Sequence, residues 1–137
     1  YRETYELIDR VLTDRHDTIS ELAANSIMAT CKYLGITTEF VPTATHYGNN
    51  ELKAQDRVID ICKREKAGQY INAAGGKELY SREDFEAAGL KLNFITPHSI
   101  IYKQSDNEFV PWLSVIDIMM FNTPETIKCF LKEYSLE

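Results

Sequence analysis

The sequence predicts an α/β domain with a small, mostly parallel sheet flanked by helices and a helical C-terminal region. One observation is a repeated unit of helix, glycine and strand, with strands expected at residues 36–41, 69–73 and 90–96. Helices between successive strands are typical of a parallel sheet. The other is composition: 44% of the 137 residues are hydrophobic and 26% are charged, as in a globular domain with its own core.

The first half of the chain predicts three helices from apolar spacing and caps. Tyr5, Ile8 and Leu12 lie on one side of a helix over residues 1–15. Residues 18–21 have the form of a capping box, and the helix they begin ends near Gly35. After the strand expected at 36–41, a helix over residues 52–67 ends at Gly68.

The second half predicts three more helices and one edge strand. Residues 81–84 form a weaker capping box for a short helix, and the alternation over 90–96 indicates a half-covered strand at a sheet edge. Residues 114–122 are apolar nearly all round, so we expect a buried helix. Residues 123–125 then begin an amphipathic helix that runs through Tyr134.

The net charge of −6, with scattered Lys and Arg, argues against a nucleic-acid partner and an anionic membrane surface. Three cysteines without a CxxC pair indicate buried thiols in a reduced, cytoplasmic protein. The sequence contains no signal peptide and no run long enough for membrane insertion. Because the chain begins with Tyr1, we expect the single domain 1–137 to be the C-terminal part of a longer protein.

The glycine-bearing loop after the strand at 69–73 is the main candidate site. Gly75 and Gly76 permit positive φ or close approach of another molecule, and Lys77 follows them. One interpretation is a tight turn, and the other is a loop that donates backbone N–H groups to a small anion. Loops 42–50, 74–80 and 96–108 would leave parallel strands at one edge and gather polar residues there, namely His46, Tyr47, Asn49, Asn72, Lys77 and His98.

The catalytic candidates each have an alternative. His46 and His98 are either acid–base residues or ordinary loop histidines. Asp117 either organises the crevice or is a structural carboxylate, capping a helix or pairing with Arg57. Ser114 lacks a GxSxG elbow, which favours a helix N-cap.

The sequence identifies no cofactor and predicts no metal site. Glu78 stands where a P-loop requires Ser or Thr, and GxGxxG is absent. The three histidines are far apart, without the spacing of a metal-binding helix.

Three pieces of the chain resemble the WbqC-like family of bacterial proteins: residues 55–62, residues 70–80 with Phe85 and 89–90, and residues 109–122. Their order and spacing match over roughly residues 18–137, although the family's Gln-Pro-aromatic segment is absent and Ala73-Ala74 replaces an expected turn. The resemblance implies a role in surface-polysaccharide (O-antigen) biosynthesis, with transfer of an amino acid such as glycine to a sugar. The matched motifs nominate binding residues, namely Arg57, Asn72, Gly75, Gly76, Lys77, Tyr80 and Ser114.

Two functions therefore follow from the sequence. The first is a transferase site for a small-molecule, amino-acid or sugar-linked substrate. The second is a non-catalytic structural or partner-binding domain that packs against an N-terminal half missing from this chain. A chain of the second kind would be sticky or form a homodimer, because it would expose an apolar patch.

Overall fold

The computed structural model describes residues 1–106 and 108–137. The helices are Arg2–Thr13 (α1), Ile19–Tyr33 (α2), Ala54–Arg64 (α3), Arg82–Ala87 (α4), Val115–Phe121 (α5) and Pro124–Phe130 (α6). The strands are Gln69–Ala73 (β1), Lys91–Pro97 (β2) and Tyr134–Leu136 (β3), and two 3₁₀ helices lie at Ala44–Tyr47 and Ala74–Leu79. The α/β class predicted from the sequence is confirmed. Residue 107, within the loop predicted at 96–108, lies outside the described residues.

The chain divides into two compact units. The helical unit comprises Tyr1–Thr43 and Ser99–Glu133, and it contains α1, α2, α5 and α6. The sheet unit comprises Ala44–His98 and Tyr134–Glu137, and it contains α3, α4 and the strands. A single domain over residues 1–137 stays a prediction.

The helical unit is built by caps and a small apolar core. The Thr18 hydroxyl accepts from the Glu21 amide at 3.1 Å, and the Glu21 carboxylate accepts from the Asp17 amide at 2.8 Å, as in the predicted capping box. Gly35 follows α2 with φ of +65°, which confirms it as the C-terminal cap. The core residues of this unit are Leu34, Met119 and Ile127.

The sheet has the order β1-β2-β3, with β2 in the centre. β1 pairs with β2 in parallel, with Gln69 opposite Lys91, and β3 pairs with β2 antiparallel, with Leu136 opposite Ile95. The prediction that β2 lies at an edge is therefore wrong, and the sheet is mixed rather than mostly parallel. Leu92 and Phe94 lie on one face of β2 and are buried in a cluster with Cys62 and Phe85.

Two further element predictions are wrong. Residues 36–41 form no strand, because β-branched residues give only a local preference and no strand pairs with them. The last helix ends at Phe130, and Tyr134 begins β3 instead of continuing the helix. Pairing with β2 makes this terminal segment a strand.

Helix α5 is not buried all round, which contradicts its prediction. Met119 is only 1% exposed, but Val115, Ile116 and Phe121 are 40%, 41% and 41% exposed. Its seven residues form about two turns, and only the side bearing Met119 enters the core.

The core of the sheet unit packs α3 and α4 against the sheet. Its buried residues are Cys62, Phe85, Leu90, Leu92 and Phe94. The Phe85 ring stacks on Tyr70 at 5.5 Å and meets Tyr80 edge-on at 5.9 Å. Burial raises the pKa of the Cys62 thiol, which suits an inert core residue rather than a nucleophile.

Candidate functional site

The candidate site lies at the carboxyl ends of the parallel pair β1 and β2. β1 passes directly into the 3₁₀ helix Ala74–Leu79, and β2 leads to His98, which is exposed. Parallel register brings both exits to the same edge of the sheet, with Ala73 opposite Ile95. Two of the three loops predicted to converge therefore do so. The third loop, 42–50, has no strand before it. The argument that placed His46 at this edge of the sheet therefore no longer holds.

Of the two glycines, Gly76 is required for close packing, and neither is required for a left-handed backbone conformation. Neither Gly75 nor Gly76 has positive φ. A Cβ built on Gly76 would lie 3.2 Å from Cγ of Asn72, whereas one on Gly75 would meet nothing within 4 Å. Gly76 is needed so that the 3₁₀ turn can rest on the Asn72 side chain, and Gly75 is not.

The Asn72 amide fixes the exit of β1. Its Nδ2 donates to the Tyr70 hydroxyl at 3.0 Å, and its Oδ1 accepts from the Ala73 amide at 2.6 Å. Tyr80 lies edge-on to Tyr70 at 5.6 Å. Burial, with the hydrogen bond to Tyr80, raises the pKa of Tyr70, so this phenol stays protonated. Asn72 and Tyr80 thus position the loop.

A groove of about 400 Å³ lies beside this loop. It is lined by Lys77, Tyr80, Ser81, Arg82, Glu83, Phe94 and Glu137. Lys77 Nζ lies 2.7 Å from Glu137 Oε2, and the Thr96 hydroxyl donates to Glu137 Oε1 at 3.3 Å. Lys77, nominated from sequence as a binding residue, is paired with the Glu137 carboxylate in the groove.

Arg82 and Glu83 supply the other charges of the groove. The Arg82 guanidinium lies 5.6 Å from the centre of the Phe94 ring and donates to the Leu92 carbonyl at 3.0 Å. The Ser81 hydroxyl donates to Glu83 at 2.9 Å, and hydrogen bonding, first from its own backbone N–H, lowers the pKa of Glu83. Two cations and two carboxylates therefore line the groove together with two aromatic residues, Tyr80 and Phe94.

The ion pair of the groove gives a pH prediction. Lys77, by hydrogen bond and charge, lowers the pKa of Glu137, so the pair stabilises the fold above the ordinary Glu pKa and is lost as the pH falls through the depressed value. We expect Lys77→Met to raise the pKa of Glu137 toward about 4.3. Titration of the side-chain carboxyl by ¹³C NMR measures it. Thr96→Val, which removes a weaker contribution, should move the pKa less; an equal shift would contradict the assignment to Lys77.

Arg57 lies on α3 and binds the segment 44–50, which contains His46. Arg57 Nε donates to Asn49 Oδ1 at 3.1 Å, and its Nη2 donates to Asn50 Oδ1 at 3.0 Å. The ring of His46 lies edge-on to Tyr47 at 5.5 Å, and the Tyr47 hydroxyl donates to Glu65 at 2.7 Å. Through these bonds Arg57 holds residues 44–50 against α3. His46 lies within this segment and is exposed.

Ser114 and Asp117 lie in the helical unit. The Ser114 hydroxyl accepts from the Ile116 amide at 3.2 Å, which confirms the N-cap interpretation. Asp117 Oδ2 accepts from the Tyr102 hydroxyl at 2.5 Å and from Gln104 Nε2 at 2.9 Å. These contacts bind the Asp117 carboxylate to Tyr102 and Gln104 within its own unit, and its catalytic role stays a prediction.

Sequence reasoning missed Arg82, Glu83 and Glu137. Arg82 and Glu83 directly follow Ser81, whose hydroxyl accepts from the Asp84 amide at 3.2 Å and caps α4 as predicted. Their position at the start of α4 was the sequence feature that could have identified Arg82 and Glu83. Glu137 joins the groove only because β3 returns the chain to β2, which no local pattern showed.

Two further observations concern metal binding and membrane insertion. Among the described residues, no group of three or more His, Cys, Asp and Glu side chains is placed to hold a metal ion. None of the helices in the described part of the chain has the length and apolar content needed to cross a bilayer.

Comparison with curated proteins gives no significant match, and comparison with solved structures gives none either. A scan against family models matches the WbqC-like protein family over residues 1–129. This match begins before the motif pieces recognised in the sequence and includes most of both units. The chain belongs to the WbqC-like protein family.

Proposed function

We propose that the groove beside the 3₁₀ helix Ala74–Leu79 binds an amino acid, and that the protein is a cytoplasmic transferase of bacterial surface-polysaccharide (O-antigen) biosynthesis. The transfer would join an amino acid such as glycine to a sugar. The single observation that carries the proposal is that side chains of both charge signs and two aromatic residues line one groove of about 400 Å³.

A zwitterion matches this charge distribution. Lys77 and Arg82 provide donors for a carboxylate, and Arg82 offers the planar fork that carboxylates prefer. The carboxylates of Glu83 and Glu137 would accept from an ammonium group. The half-buried Tyr80 offers an aromatic face for the apolar side of a sugar ring.

His98 is the acid–base candidate that this proposal uses. It follows β2 at the same edge of the sheet as the loop after β1. Its imidazole would take the proton from the sugar hydroxyl or amino group that attacks the carbonyl carbon of an activated amino-acid ester, as the ester C–O bond breaks and its alcohol leaves. The proposal gives no catalytic step to His46, which lies beside α3. It gives none to Asp117 or Ser114, which lie in the helical unit.

A thermal-shift screen tests the proposal. The ligands are amino acids, nucleotide-sugars, nucleotides and phosphate, and a ligand at 100 times its Kd stabilises by about 2.7 kcal/mol. We expect amino acids to raise the melting temperature of the wild type. Lys77→Ala and Gly76→Val should abolish the shift, the latter because the new side chain displaces Asn72.

Gly75→Ala is the matched control, since its Cβ meets nothing within 4 Å. It should keep the full ligand shift. An amino-acid shift that survives both Lys77→Ala and Gly76→Val would contradict the site, and no shift with any amino acid would contradict the ligand class.

A partner-binding domain is the second candidate, and one observation favours it. Trp112 is 71% exposed with φ of +61°, a conformation that a bulky residue rarely adopts. Ile101 and Val110, from the same unit, are 78% and 52% exposed. If the folded protein responds to no ligand in the screen, the exposed apolar surface around Trp112 becomes the better guide to function.

A further inference from the structure

β1 is an edge strand whose unpaired side can be identified residue by residue. The Lys91 amide donates to the Gly68 carbonyl at 3.0 Å, so Lys91, Asn93 and Ile95 direct their backbone groups toward β1. Phe94 exchanges backbone bonds with Glu137 on the opposite side, in agreement with this alternation. On β1, Tyr70 and Asn72 therefore face β2 with their N–H and C=O groups.

The remaining residues of β1, namely Gln69, Ile71 and Ala73, direct their backbone groups away from β2. Among the described residues, no strand pairs with this side of β1. Ile71 itself is 46% exposed. Its N–H and C=O are an adjacent donor and acceptor at the middle of a five-residue strand.

Nothing in β1 protects this edge. Natural edge strands are blocked by charged side chains, proline or a bulge. The strand Gln69–Ala73 contains no charged residue and no proline, and its pairing with β2 is continuous. An unprotected edge of this kind is a template for another extended strand.

We propose that β1 pairs antiparallel with β1 of a second copy of this chain, about a two-fold axis at Ile71. The Ile71 N–H of each copy donates to the Ile71 C=O of the other, and Gln69 lies opposite Ala73. The Ala73 N–H already donates to Asn72 Oδ1, so the pairing centres on Ile71 and the Gln69 N–H. The three-stranded sheet becomes a six-stranded sheet across an isologous interface.

Charge favours a second copy in this orientation. The strand is uncharged, so the two copies bring no like charges together along it, although each chain carries −6. Exposed Lys66 precedes the strand and exposed Glu78 follows it. Lys77, beside Glu78, is already paired with Glu137. Antiparallel pairing directs the end with Lys66 in one copy toward the end with Glu78 in the other, whereas parallel pairing would direct like charges toward each other.

The test compares Ile71→Pro with Ile71→Val by light scattering over a range of concentrations. Proline removes an N–H that points away from β2 and to which no described strand of the chain is paired, so β1 still pairs with β2. We expect the wild type and Ile71→Val to reach a mass near twice the 15.8 kDa of one chain. Ile71→Pro should stay near the mass of one chain, with an unchanged circular dichroism spectrum.

Hydrogen exchange of the wild type tests the same pairing without a variant. The Ile71 amide should be protected at concentrations where the dimer forms and should exchange freely at lower concentrations. A single-chain mass throughout, or a dimer whose Ile71 amide stays unprotected, would overturn the proposal. Ile71 does not line the groove, so either failure leaves the proposed function standing.

Discussion

Phe85→Ala should lower the free energy of unfolding by about 3–5 kcal/mol, the range for removing a buried phenylalanine ring. Phe85 is 0% exposed. Its ring packs on Tyr70 and Tyr80 and belongs to the cluster that joins α3 and α4 to the sheet. The cavity would remove contacts from all of these elements at once. Because whole domains are stable by only about 5–15 kcal/mol, the loss is a large part of the total.

Denaturant unfolding followed by near-ultraviolet circular dichroism measures this loss, since the tyrosines around Phe85 report on the packed core. Leu79→Ala is the control within the same unit, because Leu79 is 70% exposed and should cost less than about 0.5 kcal/mol. Equal losses for the two variants would mean that the Phe85 cluster does not hold the sheet unit together.

The sequence predicts those elements that local chemistry determines. Thr18 and Ser81 mark the starts of α2 and α4, and both hydroxyls accept the expected amide hydrogen bonds. Gly35 marks the end of α2. Caps and positive φ depend on neighbours within four residues, so one sequence is enough to find them.

The errors concern elements that depend on distant partners. Residues 36–41 have the composition of a strand but find no pairing partner, whereas Tyr134–Leu136 has a helical pattern and pairs with β2. The same dependence limits prediction of the site. The glycine loop and Lys77 are visible in the sequence, but the partner of Lys77 is Glu137, sixty residues away.

Gln104 carries the second large effect, because it is the centre of a buried polar cluster in the helical unit. It is only 8% exposed. Its Nε2 lies within 3.1 Å of three acceptors, namely Asp117 Oδ2, the Tyr102 hydroxyl and the Val110 carbonyl, and its two N–H groups can donate to two of them at once. Its Oε1 accepts from the Val110 amide at 2.8 Å. Burial, then the bond to Asp117, raises the pKa of Tyr102, so the phenol remains a donor to the carboxylate.

Gln104→Glu keeps the shape of the side chain but replaces the donor with a carboxyl facing Asp117. We expect a loss of about 2–4 kcal/mol in the free energy of unfolding at neutral pH, from like charge and unpaired acceptors. The introduced carboxyl has a higher pKa in the folded state than in the unfolded state. The charge-dependent part of the loss is therefore absent below about pH 4.3, the ordinary Glu pKa, grows as the pH rises from there through the raised folded pKa, and is complete above it.

Gln55→Glu makes the same change beside the carboxylate of Asp84, which lies nearer to solvent. Comparing the two variants separates the effect of burial from the effect of charge. Gln55 Nε2 donates to Asp84 at 2.5 Å, while its Oε1 accepts from the Ser81 amide at 3.0 Å and would continue to do so. Its loss should stay below about 1 kcal/mol, because solvent screens the new repulsion. Urea unfolding of both variants across pH measures the difference. If Gln104→Glu were no more costly or pH-dependent than Gln55→Glu, the cluster around Asp117 would be solvated, and Asp117 would be free for chemistry after all.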